Sequence, residues 1–278
     1  MGETQLRRLQ LIQLKMLSDI HRLCERNQIR YFLVGGTLLG AVRHKGFIPW
    51  DDDVDIAMPR NDYQRFLAIA QAELGQTYFV QNFGTDQNYS RYITKIRLNG
   101  TSYIEDEVRH VDMHHGIFID IFPLDNVSEP NGVALLARGM VLRMLFAIKG
   151  IKNGLTSRTS SNLKKAIKMI LRPITLLIPD HVLNAVFDYV CTMSNGNNGK
   201  YTTSFASGYG WKKQLVPNEV YGEGIKVWFE GHQFNAPEQW HVLLTQIYGD
   251  YMELPPLEKR YSGHRVVHID FGEYVDVL

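Results

Sequence analysis

Pro49-Trp50-Asp51-Asp52-Asp53-Val54-Asp55-Ile56 is the stretch on which the rest of the chain turns. On an extended strand successive side chains point to opposite faces. Asp51, Asp53 and Asp55 therefore share one face, and Val54 turns to the other. Carboxylates this close repel one another, and burial penalises their charge further. A hard divalent cation relieves both costs, and carboxylate oxygens beside phosphate oxygens and water are the ligands Mg²⁺ takes. The plain alternative is a solvated acidic turn. A calcium loop does not fit. Asp51, Asp53, Asp55 and Asp62 occupy the first, third, fifth and last ligand positions, but Ile56 stands where that loop needs glycine and Pro59 interrupts it.

Upstream, Tyr31-Phe32-Leu33-Val34 predicts a buried strand that meets a tight turn at Gly35-Gly36, with a helix from Thr37 to about Lys45. A strand, a glycine turn and a helix N-terminus offer backbone N–H groups and the Thr37 hydroxyl to a phosphate. Val54–Met58 reads as a second strand closed by Pro59. Asn61 is placed to cap a helix carrying Tyr63, Phe66, Leu67, Ala70 and Leu74, ended by Gly75. Tyr92–Arg97 alternates as a strand. Gly116–Ile121 is a third apolar strand, closed by Pro123, with Asp120 between Ile119 and Ile121. A carboxylate on a buried strand is costly without a partner. If this strand lies beside the Asp53/Asp55 strand, three carboxylates converge. An amphipathic helix over about 5–26 precedes all of this, with Leu9, Ile12, Met16, Ile20 and Leu23 on one side.

The chain has 278 residues, 45% hydrophobic and 21% charged, so it can build a substantial core. A net charge of +1 excludes a globally basic nucleic-acid binder, and no nucleic-acid partner is expected. Cys24 and Cys191 are too few for a disulfide scaffold, the N-terminus shows no apolar leader, and a cytoplasmic location is expected. The charge is unevenly spread. Residues 131–179 hold nine basic residues and no acidic one, which leaves the remainder at −8. The nine are Arg138, Arg143, Lys149, Lys152, Arg158, Lys164, Lys165, Lys168 and Arg172. Lys164, Lys168 and Arg172 recur every fourth residue, opposite Leu163, Ile167, Ile170 and Leu171. Such a helix either lies on an anionic membrane surface or packs its apolar side into an ordinary helical core.

The order of these features, Gly-Gly, then Asp-apolar-Asp, then a third strand carboxylate, resembles the nucleotidyltransferase-fold superfamily. More specifically, GGTLLGAVRHKGFIPWDDDVDIAMPRNDY at 35–63, GIFIDIFPLD at 116–125 and YGDYMELPP at 248–256 closely resemble the LicD family. The resemblance implies an α/β (α+β) fold: a nucleotidyltransferase-like core sheet flanked by helices, with a helical insertion and a C-terminal extension. The expected organisation is a catalytic core over 1–128, a basic helical subdomain over 129–200 and a segment over 201–278 that completes the cleft. It also implies transfer of phosphocholine from CDP-choline to a sugar hydroxyl of a teichoic acid, capsule or lipopolysaccharide precursor, releasing CMP. A lipid-linked or cell-surface glycan is the implied acceptor, met at the inner face of the plasma membrane. Asp53, Asp55 and Asp120 are implied to hold Mg²⁺, with Mn²⁺ as an alternative ion, and Asp120 to help deprotonate the acceptor. Gly35, Gly36 and Thr37 are implied to cradle the diphosphate.

Arg43 and Lys95 are candidate donor contacts, and Arg97 shares the face of Lys95; alone, each would be an ordinary surface cation. A quaternary ammonium wants an aromatic cage. Trp50, Trp211, Trp228 and Trp240 are the candidates, and core packing is the competing use of each. His110, His114, His115, His264 and His268 lack nearby cysteines and zinc spacing. His264 is a candidate substrate contact. The competing functions are a different donor on the same fold (CDP-glycerol, CDP-ribitol or a nucleoside triphosphate) and a catalytically silent membrane-associated binding protein.

Overall fold

The computed structural model describes residues 2–154, 162–195 and 199–276. Arg158 and the side chains of Lys164 and Lys165 lie outside the described residues.

The chain is an α/β protein. It opens with α1 (Glu3–Arg26), β1 (Phe32–Leu33), α2 (Gly35–Arg43), β2 (Asp55–Pro59) and α3 (Arg60–Leu74). Strands β3 (Tyr78–Gln81), β4 (Thr94–Leu98), β5 (Ser102–Glu105) and β6 (Phe118–Val127) follow. Three helices come next: α4 (Val133–Lys152), α5 (Asn162–Leu176) and α6 (Asp180–Thr192). The chain finishes with β7 (Tyr201–Thr203), α7 (Trp211–Gln214), β8 (Val216–Pro217), β9 (Ile225–Phe229), β10 (His232–Ala236), α8 (Trp240–Tyr248) and β11 (Val266–Asp270).

The main sheet runs β1-β2-β6-β4-β3, and β7 continues from the far end of β6 to β8. β2 and β6 are parallel; the other neighbours are antiparallel. α1 and α3 pack on each other and on β6. Leu9, Ile12, Met16, Ile20 and Leu23 of α1 are buried as their spacing predicts, each worth roughly 1.5–3 kcal/mol of apolar burial. Ile56 and Ile121 sit in the same core, so alternation sends Asp55 and Asp120 to the opposite face.

Three boundaries differ from the sequence expectation. Gly35 and Gly36 form the first residues of α2 rather than a turn before it. Helix α3 starts at Arg60 without a side-chain cap from Asn61. Strand β6 runs through Pro123 to Val127. The Asp120 N–H donates to Val54, so by alternation the nitrogen of residue 123 faces the β4 side, where pairing has already ended at Ile121. A missing N–H costs nothing at such a position.

A second buried cluster lies under α4 and α6: Leu135, Leu142, Leu145, Leu183, Phe187 and Cys191, with Tyr92 and Phe205. Two of the nine basic residues do not face solvent. Lys149 is buried and donates to Asn184, and Arg138 is buried over the Phe205 ring. In the C-terminal segment the β9–β10 hairpin packs Phe229 and Phe234 into the main core, and β11 pairs with β5.

Candidate active site

The register of four strands places polar groups in one row. Asp55 of β2 is level with Asp120 of β6, Asp120 with Lys95 of β4, and Lys95 with Gln81 of β3. Lys95 Nζ donates to Asp120 Oδ1 at 2.6 Å and lies over the Phe118 ring. This is the partner that a carboxylate between two isoleucines required. Lys95 and Arg97 are almost wholly buried, not surface cations. Arg97 is spent on Gln81 Oε1 and the Gly116 carbonyl, both at 2.7 Å. Lys95 thus reaches the site as the holder of Asp120 and does not line the cavity in front of it.

That cavity, of about 320 Å³, is lined by Asp53, Asp55, Asp120, Gly35, Tyr209 and His264, among others. Burial, and then the charges of Asp53, Asp120 and Asp51, push the Asp55 carboxyl well above the usual carboxylate range. Burial and the charges of Asp53 and Asp52 do the same to Asp51, and burial raises Asp53. Among the described residues, Asp51, Asp52 and Asp53 bring one carboxylate oxygen each within 4.8 Å of one another. An all-oxygen donor set under mutual repulsion fits a hard divalent ion. Ser204, buried in the cavity wall, has a hydroxyl without a hydrogen-bond partner among the described residues.

Gly35, Gly36 and Thr37 lie beside the carboxylates, for reasons the sequence did not show. A Cβ on Gly35 would stand 2.8 Å from Asp55 Oδ2, and one on Gly36 2.5 Å from Asp51 Oδ2. Gly35 also has φ +57°, which favours glycine. The Thr37 hydroxyl accepts from the Asp55 N–H at 2.8 Å. It pins the start of β2 and is buried, so it does not stand free for a phosphate. Arg43, at the other end of α2, donates to the carbonyls of Tyr251 and Glu253. It lines a second cavity and fixes the C-terminal segment against α2.

Sequence reasoning missed a buried cluster next to this row. Asp52, fully buried, accepts from Tyr103 Oη at 2.7 Å and meets His264 Nδ1 at 3.1 Å. His264 Nδ1 is 3.8 Å from Asp53, and its Nε2 is 3.4 Å from Glu105. Burial opposes charge on His264, but the Asp52 hydrogen bond and the charges of Asp53 and Glu105 outweigh it and lift the imidazole to about 9. Glu105 is held at about 2: burial pushes it up, and Lys95, Arg91, His264 and Arg97 overcome that. The sole signal in the sequence was that His264 shortly follows the YGDYMELPP block. The other histidines do not join it. His114 bonds Asn99, and His110 bonds the Asn153 carbonyl.

A family model described as LicD/FKTN/FKRP, nucleotidyltransferase domain, matches residues 28–132. The lipopolysaccharide cholinephosphotransferase LicD of Haemophilus influenzae is 33% identical over 281 aligned residues, covering 95% of this chain and 97% of that protein. The human ribitol 5-phosphate transferase FKRP is 33% identical over 85 residues, 31% of this chain and 16% of that protein.

Proposed function

Because the chain belongs to the LicD family, as its alignment along nearly the whole Haemophilus protein shows, we propose that it transfers phosphocholine from CDP-choline to a sugar hydroxyl of a cell-surface glycan precursor. The chain is an enzyme of the transferase class, moving a phosphate-linked alcohol onto a glycan. The observation that carries this reading is the convergence of Asp53, Asp55 and Asp120 on one cavity. The acceptor oxygen bonds to the phosphorus that bears choline, the bond from that phosphorus to CMP breaks, and the acceptor proton is released. Such a transfer asks a protein for positioning and charge compensation, not for a nucleophile.

Asp53, Asp55 and Asp120 would hold Mg²⁺, or Mn²⁺ in its place. The ion would neutralise charge on the phosphate oxygens. Lys95 orients Asp120 by holding one of its oxygens. Thr37 and the first turn of α2 fix Asp55 and Asp51 in place, and Ser204 offers a free hydroxyl to the donor. A glycan acceptor on a lipid carrier would bring the enzyme to the inner face of the plasma membrane, with the basic stretch 131–179 towards anionic lipid.

A panel of CDP-choline, CDP-glycerol, CDP-ribitol and CTP, each with and without Mg²⁺, tests the donor by thermal shift. CDP-choline at about 100 times its dissociation constant should add roughly 2.7 kcal/mol of stability, and only with Mg²⁺. The alignment of 85 residues with a ribitol 5-phosphate transferase favours CDP-ribitol as the second reading. A shift confined to that ligand would replace the first.

A further inference from the structure

A second cavity, of about 430 Å³, opens on the other side of the glycines that start α2. Gly36 and Asp51 line it, whereas Gly35, Asp53 and Asp55 line the first; Tyr209 is a wall of both. Its remaining aromatic walls are Trp50, Tyr248 and Tyr251. The hydroxyls of Tyr209 and Tyr248 are 2.5 Å apart and their rings meet edge to face at 5.5 Å, so the two rings hold each other in place. The Trp50 ring already takes a cation, the Arg260 guanidinium, at 5.5 Å.

The charges of this cavity match its aromatics. Asp51, Asp250 and Glu253 line it on the acidic side. Arg43, the cation among the described residues that line it, is committed to the carbonyls of Tyr251 and Glu253. Aromatic faces together with carboxylates form a site for a bulky cation that carries no N–H group. Of the four tryptophans, Trp50 alone stands in such a place. Trp211 packs on the second cluster, Trp240 packs against the main core as Trp50 also does but lines neither cavity, and Trp228 is exposed on β9. The family-like segment 248–256 supplies much of the wall.

We infer that this cavity receives the trimethylammonium head of the donor, while the first cavity, across Tyr209, takes the cytidine diphosphate. The assignment rests on CDP-choline being the donor. A head bound there sits one glycine from the carboxylate row, which places its phosphate at the boundary between the two cavities.

Calorimetric titration of CDP-choline and of CDP, with Mg²⁺, into the wild type, Trp50→Leu, Tyr248→Leu and Tyr248→Phe tests this. The two leucine variants should bind CDP-choline about tenfold more weakly and CDP within twofold of wild type. Tyr248→Phe, which keeps the ring, should restore most of the loss. Melting curves without ligand show that each variant is folded. If the wild type prefers CDP-choline to CDP and both leucine variants keep that preference, the cavity assignment is wrong and the donor assignment stands. Parallel weakening of CDP would mean that the cavity holds the cytosine ring, which also overturns it. A wild type that binds CDP-choline no better than CDP would remove the donor reading, and this inference with it.

Discussion

His264 is a cation held by three carboxylates, Asp52, Asp53 and Glu105. Its folded pKa of about 9 exceeds the roughly 6.5 of an unstructured imidazole. The stability it contributes is therefore complete below about pH 6.5 and is lost as pH rises through 9. In Mg²⁺-free buffer the wild type should lose on the order of 3 kcal/mol between pH 6.5 and 9.5. His264→Gln should be less stable at pH 6.5 and should lose less stability than the wild type across that window. Urea unfolding at several pH values measures both, and parallel curves for the two proteins would refute the assignment. The residues on either side of this pair differ in how readable they were. Asp55 and Asp120 announce themselves, because alternation on short apolar strands fixes their face, and Asp53 lies just ahead of β2. His264 does not, since 212 positions separate it from Asp52 and only the pairing of β11 with β5 brings them together. Gly35 and Gly36 were legible as special through their place between strand and helix; the room they leave for Asp55 and Asp51 was not.

Between elements, one buried ion pair joins the sheet to the helices. Arg60 at the start of α3 makes two bonds of 2.7 Å to Asp125 at the far end of β6, and a third of 3.0 Å to Asp188 on α6. Asn195 adds a donor to Asp125 at 2.9 Å. Removing one partner of such a pair leaves a buried charge uncompensated. Arg60→Met should cost about 3–5 kcal/mol in equilibrium unfolding, and Arg60→Met with Asp125→Leu should recover much of it. If the double variant is as unstable as the single one, the charge is not the cause. Asp125 closes the GIFIDIFPLD block, so part of that motif serves attachment and not chemistry. The elements themselves were legible wherever an apolar period was long, as in α1. Their ends were not: β6 continues past Pro123 because its neighbour β4 has stopped, a fact of pairing absent from any local window.

At the scale of the molecule, the helices after β6 turn apolar residues outward. On α4, Val133, Leu136, Met140 and Met144 are exposed at helical spacing; on α5, Leu163, Ile167, Ile170 and Ile174; on α6, Val182, Val186 and Tyr189. The sequence left two uses for the α5 stripe, a core or a surface, and the structure leaves it outside the second cluster. No single helix among the described residues is long and apolar enough to cross a membrane; Ala166–Leu176 and Asp180–Thr192 would suffice only together, and they bend by 98°. Exposed apolar stripes beside the exposed Arg143 and Arg172, in a stretch without an acidic residue, have the character of a surface that meets an anionic bilayer. Each basic side chain near such a surface adds about 1 kcal/mol, screened by salt, while the apolar contribution persists. The protein should therefore bind phosphatidylglycerol-containing vesicles more tightly than neutral ones, the difference shrinking as salt rises. Ile170→Glu with Ile174→Glu should lower that binding at least about tenfold, since two apolar contacts are lost and two like charges face the lipid. Both positions are exposed and lie outside the two cavities, so donor binding in solution should be unchanged. Vesicle co-sedimentation reads the first effect and the CDP-choline titration the second. Equal binding to neutral and anionic vesicles, or an unaffected double variant, would leave these stripes without a role at the membrane.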